Sequence, residues 1–248
     1  MNELGYAVGR AALQRLSEVQ DSTFSVLDLE WDQLAGVFGG DDDSHQATAY
    51  FTALLPFEEA DSFLEMGCGS GVTAVVAALK GCPAVTALDI NPAAAENTRL
   101  NAKRHGVEDR VRALTSDLFA ALDEDETFDL IYWCSSFIEA PADRPAESFF
   151  ELSIFDPGYS AHREFLRTAP THLTENGMIL LGFSNFAGNA ELVEKFARDA
   201  GLRARVRSQQ TYSFPASVLG TDPVFAAHAD ADGMLHSDFT LLEFRRKN

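Results

Sequence analysis

Three observations predict an α/β chain with a doubly wound, mostly parallel seven-stranded sheet and an antiparallel C-terminal edge. From residue 62 onward, short apolar runs alternate with helical patterns, which is the rhythm of a parallel sheet with helices on both faces. The first strand-to-helix junction, LEMGCGSGV (64–72), carries three glycines in a G-x-G-x-G pattern. The chain closes on two alternating stretches, RARVRSQQTYSF (203–214) and DFTLLEFRR (238–246), which read as strands paired into an antiparallel edge.

Each element has its own local reason. Residues 5–19 place Tyr6, Val8, Ala11, Leu13 and Leu16 at roughly helical spacing, so a helix is expected. GGDDDS (39–44) reads as an exposed loop, and its aspartates as solvated, because no His or Glu stands at ligand spacing. SFLEM (62–66) is the first strand of the regular region, followed by the Ala-rich helix GVTAVVAALKG (71–81) and the strand PAVTALDI (83–90). NPAAAENTRLNAKRHG (91–106) opens with Asn91 as N-cap and Pro92 at the first helical position, and Gly106 ends it. RVRALTSDLF (110–119) and TFDLIYW (127–133) are the next strands. A helix over 160–177 is interrupted or kinked at Pro170, then come the strand MILLGFS (178–184) and the helix NAELVEKFARDAGL (189–202). The segment 139–160, with three prolines and many aromatics, is expected to be a long loop serving as a lid, with Phe149, Phe150, Phe155 and Tyr159 closing over a ligand or packing on the first helix. The division expected is an N-terminal helical cap region over 1–58 and a catalytic domain over 59–248.

Composition narrows the function classes. The 248 residues carry a net charge of −19, and such a surface repels nucleic-acid backbones. Arg203, Arg205, Arg207 and the C-terminal RRKN read as solvated strand edges. The three cysteines, Cys68, Cys82 and Cys134, form no CxxC pair, so neither a disulfide framework nor a zinc site is indicated. There is no apolar leader or membrane-length run, and a cytoplasmic location is expected. No metal is expected.

The polar residues at strand ends carry the chemistry, because ligands of such sheets bind beyond the carboxyl ends of the strands. Gly67, Gly69 and Gly71 permit positive φ and close backbone approach. A dinucleotide fingerprint counted from Gly67 needs Gly or Ala at 72, where Val72 stands. Glu65 suits a ligand with an ammonium group better than a pyrophosphate. Asp89, at the second strand end, is placed for two ribose hydroxyls, and Asp117, after the third, for an adenine amino group. Together they describe a nucleoside pocket without a phosphate clamp.

FLEMGCGSG (63–71), ALDINP (87–92) and SDLF (116–119) resemble the motifs of class I S-adenosylmethionine-dependent methyltransferases, over roughly residues 60–200. DINPAAAENTRLNAKRHG (89–106) is similar to the subgroup of release-factor glutamine and ribosomal methyltransferases. The resemblance implies a Rossmann-like methyltransferase fold and S-adenosylmethionine as cofactor. The cofactor contacts it implies are Glu65, Gly67, Gly69, Gly71, Asp89, Ile90, Asn91, Asp117 and Leu118, with Thr48 of HQAT (45–48) near the methionine end. In that subgroup the fourth strand ends in Asn-Pro-Pro followed by Tyr or Phe. Here the positions read Cys134, Ser135, Ser136 and Phe137, so the aromatic is kept while the amide-orienting Asn and both prolines are gone.

Cys134, Ser135, Phe137 and Glu139 are therefore the catalytic candidates, with Glu139 first and His162 second as a general base. Tyr132 and Trp133 alternate in direction, one towards the pocket and one into the sheet packing. The expected activity is methyl transfer to nitrogen or oxygen of a small-molecule acceptor. The alternatives are a protein side chain as acceptor, a cofactor-binding protein without turnover, and a nicotinamide-dependent oxidoreductase. Neither nucleic acid nor membrane is expected as a partner.

Overall fold

The computed structural model describes residues 1–16, 20–38 and 42–247. Positions 17–19 of the first predicted helix, 39–41 of the predicted loop, the side chains of Asp42, Asp43, Ser44 and His45, and Asn248 of the C-terminal RRKN lie outside the described residues, and with them the expected solvation of the aspartates.

The chain opens with helix α1 (Glu3–Leu16), a hairpin of β1 (Ser22–Val26) and β2 (Leu29–Gln33), and helix α2 (Asp42–Leu54). This segment thus has a helix towards each end and a two-stranded sheet between them. The hairpin escapes an alternation reading because β1 is largely exposed and buries chiefly Val26. Helix α2 begins inside the aspartate run, where a loop was predicted.

The regular region follows as predicted. Strand β3 (Ser62–Met66) leads to α3 (Val72–Leu79), β4 (Ala84–Asp89), α4 (Pro92–Arg104), β5 (Val111–Thr115) and β6 (Phe128–Cys134). The Asn91 side chain accepts the N–H of Ala93, and Lys103 and Arg104 stand in the last turn, where cations oppose the helix dipole. The segment after β6 is more ordered than a lid loop. It holds β7 (Ile138–Ala140), α5 (Phe149–Ile154) and β8 (Phe155–Pro157), with β7 and β8 paired in parallel. Ser148 caps α5 by accepting the N–H of Glu151.

Helix α6 (Ser160–Thr168) stops before Pro170, which sits in a 3-10 turn, Ala169–His172. Strand β9 (Leu173–Phe183) then starts five residues earlier than predicted, because Leu173 pairs with Phe128 across an irregular register. Helix α7 (Ala190–Asp199), β10 (Leu202–Pro215), the short helix α8 (Pro223–His228) and β11 (Met234–Arg246) complete the chain.

The large sheet has the order β10-β11-β9-β6-β3-β4-β5. Strands β9, β6, β3, β4 and β5 are parallel, and β11 and β10 add the antiparallel edge. The order reverses between β3 and β6, so their carboxyl ends open the crevice that binds ligands in sheets of this kind. One core packs α2, α3 and the hairpin through Trp31, Phe51, Phe57, Phe63 and Val75. The other packs α6 and α7 through Leu64, Trp133, Phe165, Leu181 and Val193. Helix α1 lies across the crevice. A Cβ on Gly5 would stand 1.9 Å from the carbonyl oxygen of Ala187, and one on Gly9 would stand 2.5 Å from the Phe155 ring, so the two glycines set how closely it docks.

Among the described residues no helix is long and apolar enough to cross a membrane.

Candidate active site

The crevice holds a cavity of about 850 Å³, lined from β3, β4 and β6 below and from α1, α5 and the β10–β11 edge above. Its size falls in the range of small-molecule and cofactor sites, roughly 300–1,000 Å³.

The floor is the glycine loop. Gly67, Gly69 and Gly71 all have positive φ, at 64°, 53° and 82°. Their roles differ. Gly67 and Gly69 line the cavity, and a Cβ on Gly67 would lie 3.0 Å from the indole nitrogen of Trp133. Gly71 does not line it: as N-cap of α3 it meets Thr98 of α4, where a Cβ would fall within 2.7 Å of the hydroxyl. The third glycine thus lets α3 and α4 approach, which corrects its expected place among the cofactor contacts.

Glu65 is buried at the end of β3, where its Oε2 accepts the N–H of Ala74 at 2.8 Å. Burial pushes its pKa from 4.5 to about 8, opposed by the Thr73 and Ala74 hydrogen bonds. Asp89 accepts the N–H of Gly69 at 3.0 Å and of Asn91 at 2.9 Å. Burial raises its pKa, against those two bonds. A carboxylate has about four lone-pair sites, so two remain for a ligand's hydroxyls. Ile90, Asn91, Asp117 and Leu118 line the same end, Asp117 exposed and Leu118 at φ 46°, while Thr48 lines the cavity from α2.

At the end of β6, Tyr132 and Trp133 face opposite sides of the sheet, yet both reach the lining. Cys134, Ser135, Ser136 and Phe137 follow on the cavity wall. Burial pushes the pKa of the Cys134 thiol up to about 11, opposed by the Tyr132 hydroxyl. Cys134 is a thiol at neutral pH, which argues against a nucleophile. Ser135 donates to the Gly182 carbonyl at 3.2 Å and is structural in this geometry. Phe137 packs edge-on against Phe183, and the hydroxyl of buried Tyr159 donates to its carbonyl. Tyr159 therefore braces the strand end from behind instead of closing over the cavity, whereas Phe149, Phe150 and Phe155 do line it.

Neither expected base is brought to the cavity. Strand β7 turns Ile138 inward and Glu139 away, and the Glu139 carboxylate lies 3.4 Å from the amino group of Met1. His162, the second expected base, is fully buried. Its Nδ1 lies 2.6 Å from Asp156, and its ring packs between Trp133 and Tyr159.

The residues that sequence reading missed belong to α4 and the hairpin. Asn97 and Asn101, fully buried one turn apart, clamp both polar groups of the Asp32 backbone and the N–H of Leu34, all at 2.8 Å. Asn101 also donates to the Ser70 carbonyl of the glycine loop. The clamp carries Phe38 to the cavity wall, with its carbonyl beside Gly69. Two asparagines at i and i+4 on an otherwise apolar helix face were the available signal.

Comparison with known proteins agrees with this geometry. A methyltransferase-domain family model matches residues 63–153, which run from β3 through the glycine loop, Asp89 and the β6 strand end into α5. That segment is similar to a methyltransferase domain. The ribosomal protein uL3 glutamine methyltransferase of Bradyrhizobium diazoefficiens is 34% identical over 150 residues, covering 58% of this chain and 45% of the relative. The release factor glutamine methyltransferase of Bordetella pertussis is 34% identical over 152 residues, covering 58% and 54%. The chain thus spans about half the length of these two relatives. The ribosomal protein L11 methylase of Lactobacillus delbrueckii subsp. bulgaricus superposes with a TM-score of 0.52 at 18% identity, over 86% of this chain and 82% of that one, a likeness of fold. The 16S rRNA N2 G1207 methyltransferase of T. thermophilus, solved with AdoMet and guanosine, gives 0.53 at 17% identity, over 92% and 50%.

Proposed function

We propose that the chain is an S-adenosylmethionine-dependent methyltransferase acting on nitrogen or oxygen of a small molecule, with 59–248 as the catalytic domain and 1–58 as its cap. The observation that carries the cofactor is the run of strand-end groups along one cavity: Glu65, the Gly67–Gly69 floor, Asp89 and Asp117. When bound, the cofactor supplies a methyl already activated on a sulfonium. In this reading Glu65 and Thr48 face the methionine end, the spare lone pairs of Asp89 accept the ribose hydroxyls, and Asp117 with Leu118 borders the adenine. Ile90 and Asn91 edge the ribose.

What remains for the protein is to hold the acceptor in line, and alignment of this kind is worth about 7–11 kcal/mol of barrier. Cys134 and Phe137 stand at the strand end that faces the acceptor. With Glu139 and His162 off the lining, no carboxylate or imidazole of the expected pair takes the proton, so the reaction favours an acceptor atom that presents its lone pair without help.

A protein side chain is the second reading, favoured by the two relatives named as glutamine methyltransferases. Against it, the Asn that orients an amide in that subgroup is Cys134 here. Calorimetry with S-adenosylmethionine and S-adenosylhomocysteine tests the cofactor. Binding of neither would refute the assignment, and binding of NADH in its place would support an oxidoreductase. Release of S-adenosylhomocysteine with fractionated small metabolites, but not with purified release factor or ribosomal protein, separates the two acceptor classes. No release with either leaves a cofactor-binding protein without turnover.

A further inference from the structure

Two groups of aromatic rings contribute to the cavity wall. Phe38 and Phe150 pack with centroids 6.1 Å apart. Tyr212 lies 4.9 Å from Phe239 and 5.9 Å from Phe214, the latter pair stacked at 29°. All five rings line the cavity.

The rim is apolar as well. Phe149, Tyr212 and Val218 are 47%, 37% and 62% exposed, and all three border the cavity. Large apolar groups gathered in water around a concave site mark a surface that a ligand covers.

Three serines of the lining are already satisfied from within. Ser153 donates to the Phe150 carbonyl, Ser135 to Gly182 and Ser184 to Asp238. Arg15, the sole Lys or Arg among the described lining residues, has a partner of its own. Among the described residues, the buried side-chain polar atoms without a hydrogen-bond partner are on Gln33, Glu139 and His162, and none of these residues lines the cavity. A charged or amide-bearing ligand would lose its hydration here and find few groups to replace it, which costs about 1–3 kcal/mol for each polar group left unpaired.

We infer that this wall binds an uncharged, ring-bearing small molecule, held flat against the Phe38–Phe150 group and the Tyr212–Phe214–Phe239 group. The inference rests on the methyltransferase reading and names the acceptor class for it. Rings in offset or edge-on contact add to plain area burial, so two such groups select a flat ligand over an aliphatic chain of equal size. A peptide fits less well: its backbone amides would meet Phe149 and Val218 at the rim, and its side chain would meet no amide partner at Cys134.

The experiment uses the full chain saturated with S-adenosylhomocysteine, titrated calorimetrically with quinoline, with cyclohexanecarboxamide and with a glutamine-containing pentapeptide. Quinoline is expected to bind saturably, and the other two at least tenfold more weakly. Phe150→Ala and Tyr212→Ala should each weaken quinoline at least fivefold while S-adenosylhomocysteine affinity stays within twofold. Tyr212 is partly exposed, so its variant guards against a misfolded Phe150→Ala chain. Failure of quinoline to bind while S-adenosylhomocysteine binds overturns the acceptor class alone. Tighter binding of the pentapeptide overturns it in favour of a protein substrate. Failure of S-adenosylhomocysteine itself overturns the methyltransferase reading beneath both.

Discussion

The Glu65 carboxylate stands 2.8 Å from the backbone nitrogen of Ala74 and ties the end of β3 to the first turn of α3. Its surroundings nonetheless favour the protonated acid, because burial outweighs that one N–H and the Thr73 hydroxyl. The residue that should meet a cationic ligand is thus held partly uncharged until the ligand arrives.

A proton linkage follows. Between pH 4.5 and about 8 the folded chain retains on Glu65 a proton that the unfolded chain releases. This contribution to stability is full below pH 4.5, declines through the interval and is lost above about 8. Glu65→Gln should flatten that part of the urea-unfolding profile, and an unaltered profile would show that Glu65 does not titrate there. Binding of an ammonium-bearing ligand near pH 7 should also expel a proton, seen as a dependence of the calorimetric heat on the buffer's ionisation enthalpy.

Asp89→Ala removes the acceptor for the Gly69 and Asn91 N–H groups together with the lone pairs left for a ribose. Affinity for S-adenosylhomocysteine should fall by tenfold or more, in line with about 1–3 kcal/mol for a partly buried hydrogen-bonding carboxylate. An unchanged dissociation constant would remove Asp89 from the site.

Cys134, with its pKa near 11, should alkylate slowly at pH 7.5 and faster only as pH approaches 10. Peptide mass spectrometry after brief iodoacetamide treatment reads this directly. Cys134→Ala should leave S-adenosylhomocysteine affinity nearly intact and change turnover. Loss of cofactor binding would mean that the β6 end serves the cofactor and not the acceptor.

Glu243, almost fully buried on β11, gathers Arg205, Arg207 and Arg245 at 2.7–2.9 Å. Hydrogen bonds from these arginines hold its pKa down to about 2, against the opposing effect of burial. Its stabilisation is therefore present above the unfolded value of 4.5 and lost as pH falls through about 2. Glu243→Ala should cost about 1–3 kcal/mol at pH 7, measured by denaturant unfolding, since it leaves three guanidinium groups around an empty place.

Gly9→Val should push α1 away from Phe155, because even a Cβ would lie 2.5 Å from that ring. Overpacking of this kind costs about 1–3 kcal/mol. Hydrogen exchange across Glu3–Leu16 should accelerate, while exchange in α3 and α4 stays as in the parent. Protection unchanged in α1 would mean that the helix adjusts without lifting.

The reach of the sequence differed between the two halves of the site. The geometry around the glycine loop was readable because each piece is local: a glycine turn, Asn91 before Pro92, and an acid at each strand end. The geometry beyond the end of β6 was not. Glu139 looked like a base at a strand end, but a short strand with alternating faces turned it away. His162 looked like a second base, and Asp156, six residues earlier, drew it into the core. The lid predicted over 139–160 proved to be two short strands and a helix, whose apolar residues follow the shape of α1 and show no period of their own. Hairpin β1–β2 was invisible for a similar reason: its order comes from Asn97 and Asn101, more than sixty residues away in sequence.

Strand β11 threads between β9 and β10, although β10 is made first. Until Met234–Arg246 leaves the ribosome, β10 has no neighbouring strand to pair with, and Tyr212 lacks the Phe239 ring that lies 4.9 Å away in the folded chain. On the methyltransferase reading, the half proposed to hold the cofactor is complete on the nascent polypeptide well before the half proposed to hold the acceptor. A truncation just ahead of residue 234 should therefore yield a species that retains the metabolite but shows no selectivity, with one long unpaired ribbon prone to clumping.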